Sequence, residues 1–153
     1  MRIQGILRDK GSDVHTIGSD RTVLDAVREL NRRRIGALVV TDAAGAIAGI
    51  VSERDILGAT ARAWETADGG TAVRDLPVSE IMTAEVIIAT PDDGVDYAMG
   101  IMTQNRIRHL PILAGGRLAG IISIGDVVRA HLHEAAYENK MMRDYIRGGV
   151  SAI

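Results

Sequence analysis

Two short runs place the chain's most chemically suggestive side chains at matched spacing. One is Gly49-Ile-Val-Ser52-Glu-Arg-Asp55 and the other is Gly120-Ile-Ile-Ser123-Ile-Gly-Asp126. A serine and an aspartate three residues apart, where a strand gives way to a helix, fit two chemistries. The serine can cap the helix while the carboxylate faces the unpaired N–H groups of the first turn. Alternatively, the carboxylate can accept hydrogen bonds from both vicinal hydroxyls of a ribose. Arg54 lies inside the first run, where the second has Gly125. Its guanidinium suits a phosphate, and equally suits solvent on a helix surface. Arg108 and His109 put two donors side by side just before the apolar run Leu110-Pro111-Ile112. Neighbouring side chains on a strand point to opposite faces, so only one of the two can enter a given site directly.

These runs belong to a longer internal repeat. Val14, Asp20, Val23, Ala26, Arg34 and Leu38 recur as Val86, Asp92, Val95, Ala98, Arg106 and Leu110, at an offset of 72. The offset falls to 71 at Asp55 and Asp126, because the turn Ala114-Gly115-Gly116-Arg117 is one residue tighter than its counterpart. Such a repeat is one supersecondary unit used twice, with a variable loop between conserved flanks. In the first copy, Val14–Ile17 reads as a strand. Thr22 caps a helix bearing Val23, Ala26, Val27 and Leu30 on one face. Strands 37–40 and 47–52 form a hairpin across the turn Asp42–Gly45, and a second helix starts at Glu53. The second copy predicts a strand at 86–89, a helix near 94–104, strands at 109–113 and 117–123, and a helix from about 125. The fold class expected is α+β, two tandem β-α-β-β-α units. Repeat 1 spans 3–66, a linker 67–77, repeat 2 spans 78–130, and a helical extension 131–153. Val128, Leu132, Ala135, Met142 and Ile146 fall on roughly one face of that last helix. The stripe packs either on another subunit or back on its own domain. One unit alone buries too little surface, so pairing two completes the core.

Composition narrows the class. The 153 residues are 46% hydrophobic and 25% charged, with a net charge of −2, which gives no global attraction to nucleic acid or anionic membrane. Arg32-Arg33-Arg34 ends a short helix, where cations favour the dipole. Cysteine is absent, which excludes disulfides and thiol chemistry. No apolar run reaches membrane-spanning length and no signal-peptide pattern opens the chain, so the expected location is cytoplasmic. Aromatics are 3% and phenylalanine is absent, so the core is aliphatic. No catalytic constellation is found: His131 and His133 do not share a helix face, no His-Glu-x-x-His or P-loop pattern occurs, and neither serine sits in a Gly-x-Ser-x-Gly elbow. No metal site is expected.

Taken in order, Val78-Ser-Glu-Ile-Met-Thr83, Arg106-Ile-Arg-His-Leu-Pro111 and the doubled Gly-x-x-Ser-x-x-Asp resemble the CBS-domain pair, or Bateman module, from about residue 3 to 130. Ile3-Gln4-Gly5-Ile6-Leu7 is the degenerate counterpart of the 78–83 lead-in. The resemblance is to the stand-alone bacterial type. It implies adenosine-containing ligands held in clefts between the repeats, and a homodimer. It further implies ribose contacts from Ser52, Asp55, Ser123 and Asp126. Gly36, Ala37, Leu38, Thr83, Leu110 and Pro111 then surround the base, with Arg54, Arg108 and His109 on phosphate. The basic pair of the second copy stands where the first copy has Gly36 and Ala37, so the two sites are not equivalent. These cations favour AMP, then NAD(H), with ADP and ATP also admissible, over the cationic S-adenosylmethionine. The implied role is a sensor that signals to a separate effector protein. The alternative is a ligand-independent dimerisation scaffold with vestigial clefts.

Overall fold

Side-chain caps and a few tight crossings determine where the elements of this chain begin and end. The computed structural model describes residues 1–11, 13–66 and 72–151. Contacts divide the chain into two compact units, Asp13–Ile87 and Met1–Ser12 with Ile88–Ile153. The polar stretch 67–71, part of the expected linker, lies outside the described residues.

The unit Asp13–Ile87 contains β1 (Thr16–Gly18), α2 (Val23–Arg33), β2 (Ala37–Thr41), β3 (Ile47–Ser52) and α3 (Glu53–Trp64). The helix α1 (Ile3–Lys10) precedes them in the chain and belongs to the other unit. The sheet order is β1-β2-β3, with β1 parallel to β2 and β2 antiparallel to β3. Thr22 starts α2 through a reciprocal capping box with Asp25. Arg21 also holds Asp25, at 3.0 Å. That bond, followed by those from Thr22, pulls the Asp25 carboxyl down to about 2. At the other end of α2, Arg32 and Arg33 each reach Glu29 at 2.7 Å. Arg34 closes the helix in the left-handed region at φ 54°, and its repeat partner Arg106 does the same at φ 55°. The sheet's apolar face packs Ile17, Leu38, Val40 and Val51 against Ala26 and Leu30 of α2. Val78, from the lead-in of the second repeat, completes this core and is fully buried.

The other unit contains α1, α4 (Val95–Asn105), β4 (His109–Ala114), β5 (Arg117–Ser123) and α5 (Ile124–Ser151). β4 and β5 are antiparallel. The strand expected at 86–89 contracts to a single parallel bridge, Ala89 to Ile112. Thr90 turns its N–H to the Asp93 carboxylate at 2.7 Å, and Pro91 has no N–H to give a ladder, so pairing stops there. Ile3 of α1 is fully buried in this unit, as Val78 is in the first. Each repeat's lead-in therefore plugs the unit built from the other repeat's sheet. Along α5, Val128, Leu132, Met142 and Ile146 are all exposed, so the apolar stripe is not covered by its own unit.

Gly49 and Gly120 explain how the lead-ins fit. A Cβ on Gly49 would lie 2.7 Å from both the Met82 sulfur and the Thr83 carbonyl oxygen. One on Gly120 would meet the Leu7 side chain at 2.5 Å. Backbone cannot give way as a leucine rotamer can. Both alanine variants are expected to be destabilised by about 1–3 kcal/mol in denaturant unfolding. Adding Leu7→Ala should recover Gly120→Ala, whereas Met82→Ala should leave most of the loss in Gly49→Ala.

Candidate functional site

The two Ser–Asp pairs stand at equivalent corners, one in each unit. In the first, the Asp55 N–H donates to Ser52 Oγ at 3.3 Å, while the Ser52 N–H and hydroxyl donate to Asp55 Oδ2 at 2.9 and 3.1 Å. In the second, the Asp126 N–H donates to Ser123 Oγ at 3.2 Å, and the Ser123 N–H donates to Asp126 Oδ2 at 2.8 Å. Both pairs are capping boxes, so each carboxylate is fixed at the first turn of its helix. The corners are clamped alike. The Glu53 N–H donates to the Gly36 carbonyl at 3.1 Å, and the Ile124 N–H donates to the Arg108 carbonyl at 2.8 Å. Across the hairpins, Ala37 pairs with Ser52 and His109 pairs with Ser123. Directly opposed residues of an antiparallel pair share a face. This places His109, half-buried, on the Ser123 side, while Arg108 is exposed just before the strand.

The proposed site residues thus fall into two groups. Gly36, Ala37 and Leu38 join Ser52, Arg54, Asp55 and Thr83 in one unit. Arg108, His109, Leu110 and Pro111 join Ser123 and Asp126 in the other. Ala37, 5% exposed, shares the Ser52 face, whereas Leu38 and Leu110 are fully buried on the opposite strand face from Ser52 and Ser123, Leu38 within the apolar core. Arg54 is exposed in the first turn of α3, the helix end where the dipole disfavours a cation.

Each lead-in also delivers a donor to the aspartate of the sheet it covers. Thr83 pairs with Ile50 through two backbone hydrogen bonds, of 2.9 and 3.0 Å. Its hydroxyl then donates to Asp55 Oδ1 at 3.2 Å. In the other unit the donor is Lys10, at the end of α1. Its ammonium reaches Asp126 Oδ2 at 2.6 Å and the Ile121 carbonyl at 2.9 Å. Arg129 stands 3.7 Å from Asp126 Oδ1. Lys10 lies beyond the lead-in pattern, which ends at Leu7, so the sequence does not signal it. Arg129 was readable, since i, i+3 spacing on a helix brings it over Asp126. Burial pushes the Asp126 carboxyl upward. The Lys10 hydrogen bond, then the Ser123 N–H, outweighs this and holds it below its ordinary value.

Among the described residues, no group of three or more histidines and carboxylates is placed to hold a metal ion. No helix among them is long and apolar enough to cross a membrane.

A repeated helix–hairpin–helix plan with a Ser–Asp capping box at each strand-to-helix corner defines a tandem two-unit module rather than a single-core domain. The CBS-domain model matches residues 7–62 and 78–133, and the chain belongs to that family. The crystal structure of the CBS-domain containing protein ATU1752 from Agrobacterium tumefaciens is 43% identical. It covers 85% of this chain and 92% of that one, with a TM-score of 0.78. The mitochondrial CBS domain-containing protein CBSX3 of Arabidopsis thaliana is 41% identical over 135 residues. That match covers 86% of this chain but 63% of the relative, so the chain spans less than two thirds of its length. The CBS domain pair of protein MJ0100, solved in complex with 5′-methylthioadenosine and S-adenosyl-L-methionine, is 26% identical. It covers 86% of this chain and 99% of that one, with a TM-score of 0.71.

The depressed Asp126 carboxyl has a definite sign in stability. A group with a lowered folded-state value contributes stability that is present above its unfolded value, about 3.9, and is lost as pH falls through the folded value. Lys10→Gln removes the main lowering influence. The Asp126 carboxyl should then titrate higher in a carbon-13 NMR titration, and acid destabilisation should begin at higher pH.

Proposed function

We propose that this CBS pair is a regulatory module that binds adenosine nucleotides, with the Ser52–Asp55 and Ser123–Asp126 corners holding ribose. The observation that carries this reading is the rigid presentation of a carboxylate in both units. One oxygen of Asp55 is committed to the cap, and the other carries the Thr83 hydroxyl. A carboxylate oxygen has two lone pairs, so acceptor capacity remains for a ribose hydroxyl. The MJ0100 pair, which was solved with two adenosine compounds, supports the ligand class. Arg54 and Arg108 supply positive charge near these corners, His109 adds a ring N–H donor, and together they favour a phosphorylated ligand. AMP ranks first and NAD(H) second, followed by ADP and ATP. Gly36, Ala37 and Thr83 would flank a base at the Asp55 corner and Pro111 one at the Asp126 corner, whereas Leu38 and Leu110 are buried on the opposite strand face. In this reading the protein is not an enzyme. It acts as a homodimer whose geometry shifts with ligand and is read by a separate effector protein, as a two-state sensor requires.

The capping boxes favour a second reading. They give both Ser–Asp pairs a complete structural reason to exist, as a ligand-independent dimerisation scaffold would need. The two readings separate on ligand-induced stability. Saturating AMP should raise the melting temperature by the equivalent of about 2–3 kcal/mol at a hundredfold excess over Kd. Asp55→Asn and Asp126→Asn both keep an oxygen for the cap, so apo Asp55→Asn should melt nearly as before, while apo Asp126→Asn, which loses the Lys10 ion pair, should melt lower. Their AMP-induced shift should shrink, and the double variant should show none. No shift with AMP, ADP, ATP or NAD establishes the scaffold. Tight binding of S-adenosylmethionine alone in calorimetry overturns the phosphate preference.

A further inference from the structure

Lys10 makes the two aspartates electrostatically unlike. Asp55 receives a neutral hydroxyl from its lead-in, whereas Asp126 receives an ammonium at 2.6 Å. The Asp126 side chain is 13% exposed and the Lys10 side chain 37%, so this ion pair is only partly screened by water. The pair lies at the wall of a groove of about 600 Å³ between α1 and the first turns of α5. Lys10, Asp126, Arg129 and His133 line it together with Ile6, and Asp9 adds a second carboxylate.

Resting on the nucleotide reading above, we propose that Lys10 is the specificity-determining residue of the Asp126 corner, selecting adenosine ligands that carry an anionic group. Lys10 and the Ser123 N–H both bind Asp126 Oδ2, while Oδ1 faces Arg129 at 3.7 Å, so a ribose that takes Oδ1 leaves the ion pair in place. Two of the three Lys10 N–H donors go to Asp126 Oδ2 and the Ile121 carbonyl, and the third remains for an anion. A phosphate can take it, with Arg129 as a second cation beside it. A neutral nucleoside gains nothing from this donor, and a sulfonium is repelled by it. At the Asp55 corner Thr83 stands in place of the lysine, and its neutral hydroxyl offers no such attraction. Lys10, contributed by the first copy's lead-in, therefore adds charge selection to the second copy's corner.

The test uses the full chain carrying Asp55→Asn, which leaves the Asp126 corner as the ribose site. AMP and the neutral 5′-methylthioadenosine are titrated calorimetrically into this protein with Lys10 intact, with Lys10→Gln, and with Lys10→Arg. The preference for AMP should fall by about tenfold or more in Lys10→Gln, as expected from losing one charge-assisted contact. Lys10→Arg should retain the preference. An unchanged ratio in Lys10→Gln, with both ligands still binding, overturns this role for Lys10 and leaves the nucleotide reading standing. Absence of binding by either ligand to the unmutated chain overturns both.

Discussion

Each unit is closed by a segment that must lie directly on the strand before the Ser–Asp corner, and only a missing side chain lets it do so. At Gly49 the crossing segment brings the Met82 sulfur and the Thr83 carbonyl to where a Cβ would stand. At Gly120 it is Leu7. From this contact follow the burial of Val78 and Ile3, which fill the two cores. The pairing of Thr83 with Ile50, and the approach of Lys10 to Asp126, follow as well. The aspartates owe their orientation to the caps, but they owe their immediate chemical surroundings to the lead-ins.

The two halves therefore share a backbone plan and differ in charge. The corner clamps, the Ser–Asp caps and the hairpin pairings recur almost residue for residue, down to the left-handed arginines that end α2 and α4. Against that common frame, a hydroxyl faces one carboxylate and an ammonium the other. Small residues flank Ser52 on the neighbouring strand, while a half-buried histidine flanks Ser123. Duplication preserves what the fold needs. Divergence has accumulated at positions where a side chain changes the local field without changing the chain's path.

Much of this was legible because it is local. The period of Val23, Ala26 and Leu30, the cap at Thr22 and the alternation along 47–52 all act within a few residues. Ser52–Asp55 and Ser123–Asp126 declared their position by spacing alone. What the sequence did not show is long-range or geometrically marginal. Lys10 and Asp126 are separated by 116 residues, and no pattern in either neighbourhood points to the other. The strand at 86–89 carries the right side chains, yet Thr90 and Pro91 end its pairing after one bridge. His109 and Arg108 could not be told apart by side until the register placed His109 opposite Ser123.

The crossing lead-ins also mean that similarity and autonomy follow different boundaries in this chain. Similarity divides it at the linker, into halves that look alike. Contact divides it into a continuous stretch, Asp13–Ile87, nested between two pieces of the other unit. A cut in the linker would leave each half without its plug and holding the one that belongs to its twin. The duplicated halves thus behave less like beads on a string than like two boxes that have exchanged lids. Neither repeat can be inherited, excised or transplanted intact without taking part of the other with it.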